Sequence, residues 1–311
     1  MNRRILQILW CICLVFSSHA YAQDNLSALI PMPNKVSTSL KAPLVLQGDK
    51  VACYIQVDSL QFELKTVASL FQKRFGLKVE QTQTSADAQI RLLIDKSLKK
   101  NDHYKLSVNN KRLEIKGASA AAVFYGLMTL DQVLAGDVCA TKQQAISAIE
   151  IDDCPRFGYR ALMLDPARNF LPVNELKFYI DQMVKYKFNV LQLHLSDDQG
   201  WSIWIETYPK LAGNRFYTKQ DIQELVEYAE QRHVQVVPEI DTPAHSLAIT
   251  RVFPEYALAD EPDNVDHLDL SKKGTLELVQ TIWKEYLEGE DPVFPEEGVV
   301  HIGLDEYYGS G

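Results

Sequence analysis

The sequence is poor in the signals that mark several classes of protein. Five cysteines occur in 311 residues, and none is spaced with histidine as a zinc site requires. No glycine-rich turn of the kind that cradles a phosphate is present. Basic residues are outnumbered: 32 Lys and Arg stand against 41 Asp and Glu, a formal net charge of −9. That balance argues against a nucleic-acid partner bound through a basic surface. No internal repeat or low-complexity tract appears. The apolar run Ile5–Phe16 is short for a membrane span. Neither a serine nor a cysteine nucleophile motif is visible.

What is there is globular. Hydrophobic residues make up 46% and charged residues 23%, and the length suffices for two domains. Residues 1–22 form a targeting segment: basic Arg3 and Arg4, the apolar run, then Ala20-Tyr21-Ala22 before Gln23. Export to the periplasm or the medium is expected, with cleavage after Ala22 and no stable membrane insertion afterwards. Cys11 and Cys13 would leave with that peptide. Cys53, Cys139 and Cys154 remain, an odd number that allows a Cys139–Cys154 bridge or three buried thiols.

Residues 23–154 read as a small α+β accessory domain. Thr66–Phe75 has helical periodicity, Ala88–Ile94 is strand-like, and Tyr104–Val108 with Leu113–Lys116 reads as a hairpin. Ala118–Leu134 follows as a helix with Gly126 inside it and Gly136 just beyond. No catalytic residue types gather in this region. After Asp152-Asp153-Cys154-Pro155 the pattern alternates. Apolar runs Ala161–Asp165, Asn189–Asp197, Val234–Asp241 and Val299–Glu306 are separated by helical stretches Val173–Tyr186, Lys219–His233 and Lys272–Leu287. Near-continuous apolar strands between amphipathic helices imply a parallel sheet covered by helices. A doubly wound sheet and a (β/α)8 barrel both satisfy this. The stretches after the second and third strands, about 196–218 and 242–271, are long, as barrel enzymes have them where they build their sites.

Each of the four runs ends in acidic residues. The candidates are Asp165 and Arg168; His194, Asp197 and Asp198; Glu239, Asp241 and His245; Asp305 and Glu306. Carboxylates, histidine and arginine around one strand-end face favour acid–base chemistry on a polar substrate. Trp201, Trp204, Tyr208, Phe216 and Tyr217 are close in sequence, and could stack on a sugar or belong to the core. Adjacent Asp and Glu suggest glycoside hydrolysis. Neighbouring strand residues point to opposite faces, so both reach one ligand only if the strand has ended.

Four ordered motifs then carry a specific resemblance. Val300-His-Ile-Gly-Leu-Asp-Glu306 resembles the His-x-Gly-Gly-Asp-Glu signature of glycoside hydrolase family 20, the β-N-acetylhexosaminidases. Arg160-Ala-Leu-Met-Leu-Asp-Pro-Ala-Arg-Asn-Phe170, His194-Leu-Ser-Asp-Asp-Gln-Gly-Trp201 and Glu239-Ile-Asp-Thr-Pro-Ala-His245 resemble its first three barrel motifs. The region ending in Ala122–Leu130 resembles its N-terminal α+β domain. The resemblance implies a (β/α)8 TIM barrel, with the first four βα units in residues 155–311, and no cofactor or metal. It implies a glycan or amino-sugar oligosaccharide as substrate and a retaining, exo-acting, substrate-assisted reaction through an oxazolinium intermediate. In that scheme Asp305 orients the substrate's acetamido group and Glu306 is the acid and base. Asp197 and His245 form a relay that tunes Glu306. Arg168, Asp198, Trp201 and His194 line the sugar subsite.

Four features depart from the family pattern. Leu304 stands where the second glycine is usual, and its bulk is expected to crowd the site. Asn169 replaces a histidine, and Ala244 a glycine. The sequence stops at Gly311, before the barrel's other four strands, so this chain alone is expected to lack activity. Two rival readings stand beside the hexosaminidase: a non-catalytic carbohydrate-binding relic of the same fold, and an ordinary two-carboxylate glycosidase.

Overall fold

The computed structural model describes residues 29–38, 42–136, 144–258, 265–295 and 298–307. The targeting segment and Cys139 lie outside them. The chain divides into two compact units, one running to Gly158 and taking in Lys185–Lys187, the other comprising Tyr159–Val184 and Phe188–Gly311.

The first unit holds strands β1 (Lys35–Thr38), β2 (Leu44–Val45), β3 (Lys50–Ile55), helix α1 (Gln61–Phe75), β4 (Lys78–Gln81), β5 (Ile90–Ile94), β6 (Tyr104–Val108), β7 (Leu113–Gly117), α2 (Ala120–Gly136), β8 (Ala145–Ile146) and β9 (Ile149–Asp153). Seven strands form one mixed sheet in the order β1-β9-β6-β7-β5-β3-β4, and β2 pairs with β8. The expected hairpin is present, with Tyr104 opposite Gly117 and Val108 opposite Leu113. Alternation along β6 and β7 buries Tyr104, Leu106, Val108, Leu113 and Ile115 on one face, where α2 covers them, while α1 lies against β3 and β4. Gly126 has a packing reason. A Cβ there would lie 2.6 Å from Ile115 Cγ2 and 3.2 Å from the Tyr104 ring, so its absence lets α2 approach the sheet. α1 ends at Gly76, whose φ of 71° supplies the left-handed C-cap. Cys53 is buried, and burial pushes its thiol up to about 12, an inert group.

The second unit alternates as the sequence predicts: β10 (Ala161–Leu164), α3 (Val173–Lys185), β11 (Val190–Asp197), β12 (Gly200–Trp201), α4 (Lys219–Glu230), β13 (Gln235–Thr242), the short α5 (Leu247–Thr250), α6 (Lys273–Leu287) and β14 (His301–Gly303). β10, β11, β13 and β14 pair in that order and are all parallel. This is the first half of a (β/α)8 barrel. α3 buries Leu176, Ile180, Met183 and Val184, and α4 buries Ile222, Leu225, Val226 and Ala229. Each fully buried aliphatic side chain contributes about 1.5–3 kcal/mol relative to exposure. α4 starts at a capping box: Thr218 accepts from the Asp221 N–H while Asp221 accepts from the Thr218 N–H. The connections from α3 to β11 and from α4 to β13 are short, and Lys187 and His233 turn them at φ 62° and 58°. Length accumulates instead at the strand C-termini, where β12 folds back on β11 and α5 interrupts the stretch after β13. All four acidic strand ends therefore open on one side of the sheet.

Candidate active site

Strand irregularity aims the side chains. In a regular strand His194 and Asp197, three apart, would face opposite ways. The β11–β13 register shifts between His194 and Ser196, and after it His194 Nε2 lies 2.7 Å from Asp197 Oδ2. β14 stops at Gly303, two residues before the acidic pair. Gly303, Leu304 and Glu306 then turn through φ 77°, 85° and 51°, and His245 across from them has φ 50°. Such left-handed non-glycine residues cost on the order of 1 kcal/mol each and cluster where function holds them. Leu304, 63% exposed, takes a φ of 85°, so the departure from glycine carries a backbone cost.

Asp197 is the hub. Fully buried, it receives Arg168 at 2.6 Å and His194 on Oδ2, and on Oδ1 the Asp198 N–H at 2.6 Å. His245 Nδ1 stands 3.6 Å from the same Oδ1, and its Nε2 is 2.9 Å from Glu306 Oε2. Asp197, His245 and Glu306 thus form a line from a buried carboxylate to one whose side chain is 61% exposed. Burial works against a charged His245, but Asp197 and Asp241 outweigh it and raise its pKa. Arg168 also pairs with Asp165 at 2.6 Å. Asp198 accepts from the Leu247 N–H at 3.1 Å, tying down the segment that carries His245.

Behind this line sits a second network. His194 Nδ1 is 3.1 Å from Glu239, which also takes Gln192 at 2.7 Å and His301 at 2.8 Å. Burial would lower the His194 pKa, but Glu239 and Asp197 lift it to about 9. Burial would likewise raise Glu239, and His194 and Gln192 pull it down. Asp241 is pushed up to about 7 by burial and by the nearby Asp305 charge. His194, Glu239 and Asp241 lie close enough together to suggest metal ligands, as do Asp197, Asp241 and His245. Ion pairing accounts for the contacts seen: His194 lies between Asp197 and Glu239, and His245 between Asp197 and Glu306.

The structure therefore gathers Arg168, His194, Asp197, Asp198, His245, Asp305 and Glu306 at one mouth. Trp201 is a correction. It is 1% exposed and donates its indole N–H to the buried Tyr286 hydroxyl at 3.3 Å, because β12 folds back with Trp201 opposite Ser196. It belongs to the core and offers no face to a sugar. His194 is also withdrawn from direct substrate contact, since both ring nitrogens are committed to carboxylates. Tyr217 is buried and Tyr208 packs edge-on to Phe253. Trp204 remains half exposed beside Phe216. Glu239 and Asp241 form the layer under the mouth. Their acidic strand-end positions were the available signal, though nothing in the sequence ranked them.

Comparison with known proteins accounts for this pattern. Residues 157–310 match the family model for the glycosyl hydrolase family 20 catalytic domain, and residues 26–154 match that for its domain 2. The chain belongs to glycosyl hydrolase family 20. It is 37% identical over 228 residues to a beta-hexosaminidase of Akkermansia muciniphila, covering 66% of this chain and 45% of that protein. It is 34% identical over 258 residues to a beta-N-acetylhexosaminidase of Cellulomonas fimi, covering 76% and 50%. Among solved structures, a mutant Streptomyces plicatus beta-hexosaminidase in complex with product, GlcNAc, superposes with a TM-score of 0.77 at 28% identity, over 90% of this chain and 60% of that one. The chain spans about half the length of these curated family 20 relatives.

Proposed function

We propose that this chain is the N-terminal portion of an exported, retaining exo-β-N-acetylhexosaminidase that removes terminal N-acetylhexosamine from glycans. The observation that carries the reading is the Asp197–His245–Glu306 line ending on an exposed carboxyl next to Asp305. The GlcNAc bound by a Streptomyces relative agrees with an amino-sugar substrate. In the reaction, the substrate's acetamido oxygen attacks the anomeric carbon. The bond to the leaving oxygen breaks as Glu306 gives that oxygen its proton. Asp305 accepts the acetamido N–H and offsets the positive charge of the oxazolinium. Water then attacks the anomeric carbon and gives a proton to Glu306, and the ring-closing bond breaks. Two inversions leave the configuration retained. Asp197, held by Arg168 and His194, fixes His245, which fixes Glu306.

A chromogenic N-acetylglucosaminide and its 2-hydroxy analogue, assayed with the protein that carries this chain, test the proposal. Only the acetamido substrate should turn over, by at least about 10³-fold, since the nucleophile belongs to it. Equal rates would mean an ordinary two-carboxylate glycosidase, and no cleavage of either a carbohydrate-binding relic. Export rests on the three-part pattern of residues 1–22. Mass spectrometry of the mature protein should find its N-terminus at Gln23; a retained Met1 rules cleavage out.

A further inference from the structure

Asp241 takes no part in the steps above, yet it is the most awkwardly placed acid in the unit. It is 2% exposed, and its Oδ1 has no hydrogen-bond partner. A bare buried carboxylate oxygen is costly, and a charged one more so. Its surroundings are ionisable on every side. His194 and Asp197 approach from β11, Glu239 lies on its own strand, His245 on the segment that follows, and Asp305 beyond β14.

The chain that carries Asp305 is laid directly on this carboxyl. A Cβ built on Gly303 would overlap Asp241 Oδ1 and lie 2.9 Å from the Asp241 Cα, so glycine is demanded by contact as well as by its φ of 77°. The next residue, Leu304, donates its N–H to Thr242 O at 3.1 Å, fastening the turn to the neighbour of Asp241. Asp305 follows at once. The Asp305 charge is felt at the Asp241 carboxyl, so ionising both is disfavoured. Sharing one proton removes the repulsion and gives the orphaned oxygen a use.

We propose that Asp241 is a positioning residue for Asp305, keeping a proton on its buried carboxyl and donating it to the Asp305 carboxylate. Asp305 is thereby held at one orientation, with its second oxygen directed to the acetamido N–H. The role of Asp305 rests on the hydrolase reading; the proton-sharing pair is a property of the folded chain. His194 and His245, both held toward their charged forms, act against the proton on Asp241, and Glu239 and Asp305 act for it.

Carboxyl ¹³C NMR of the aspartate-labelled chain, with Asp241→Asn to assign the resonance, reads the pair directly. The Asp241 signal should titrate near neutral pH, and Asp305→Asn should lower its midpoint by at least about one unit. An ordinary carboxylate midpoint, or one that Asp305→Asn leaves in place, overturns the proposal. Hydrolysis supplies a second reading. The decline of kcat/KM above neutral pH should vanish in Asp241→Asn, whose amide donates at every pH. Asp241→Leu, with no donor, should be at least about tenfold slower than the Asn variant. If both variants keep the wild-type profile, merely scaled down, Asp241 is structural and the proposal fails. If the chain shows the titration but the protein that carries it cleaves no N-acetylhexosaminide, the pair stands and the hydrolase reading is overturned.

Discussion

Glu306→Gln is expected to lower turnover of substrates with poor leaving groups, such as another sugar, by roughly 10²–10⁴-fold, the usual worth of a positioned general acid. Activated aryl glycosides should lose far less in the glycosylation step, because their leaving oxygen departs without a proton. The asymmetry follows from where the proton goes, and no general destabilisation would produce it. The substitution keeps an acceptor for His245 Nε2, 2.9 Å from Glu306 Oε2, so the line behind it survives. Asp305→Asn should behave differently. Asp305 acts on the nucleophile, so both leaving-group classes should slow together. Leaving-group series measured on the two variants, in the protein that carries this chain, decide the matter. Equal losses across the series for Glu306→Gln argue against its being the acid. A leaving-group-selective loss in Asp305→Asn would mean that the two roles are exchanged.

The strands of the second unit were legible because each is a run of apolar residues with a polar end, and the helices because their apolar residues recur on one face. Four such runs ending in acid sufficed to place a site at one side of the sheet. Much of the first unit was not legible. β1, β2, β4 and β8 are two to four residues long, too short for alternation to register, and β9 joins β1 and β6 across more than forty residues of sequence. Nor could the sequence tell which aromatics face a ligand. Trp201 sits in the core because β12 doubles back on β11, a tertiary event with no local signature. The bulge that turns His194 and Asp197 to the same place is equally silent. At Leu304 the departure from glycine also has a backbone cost, a φ of 85° that glycine would adopt freely and that the sequence does not reveal. Sequence identifies which residue types are available; the irregularities that make them meet belong to the folded chain.

Those same strands give the second large expectation, a concentration-dependent self-association of residues 23–311 expressed alone. Among the described residues, β10 pairs only with β11 and β14 only with β13, so each presents an unpaired edge. The apolar side chains there are uncovered: Met163 on β10 is 51% exposed and Ile302 on β14 is 46% exposed, with Val299 and Leu304 beside the latter. In a closed barrel Met163, level with Gln192, fills an interior layer shared by all eight strands, and Ile302, next to the inward His301, lies on the face that helices cover. Four parallel strands cannot close that circle, and open hydrophobic edges are templates for pairing with another chain. Sedimentation velocity at rising concentration should therefore show oligomers or aggregates. Met163→Lys together with Ile302→Lys should shift the population toward monomer, because a charge on an edge must be desolvated before another strand can add. Neither substitution touches Asp197, His245 or Glu306. A chain that remains monomeric at every concentration would show that its edges are already satisfied. Association unchanged by the two lysines would place the contact elsewhere on the molecule.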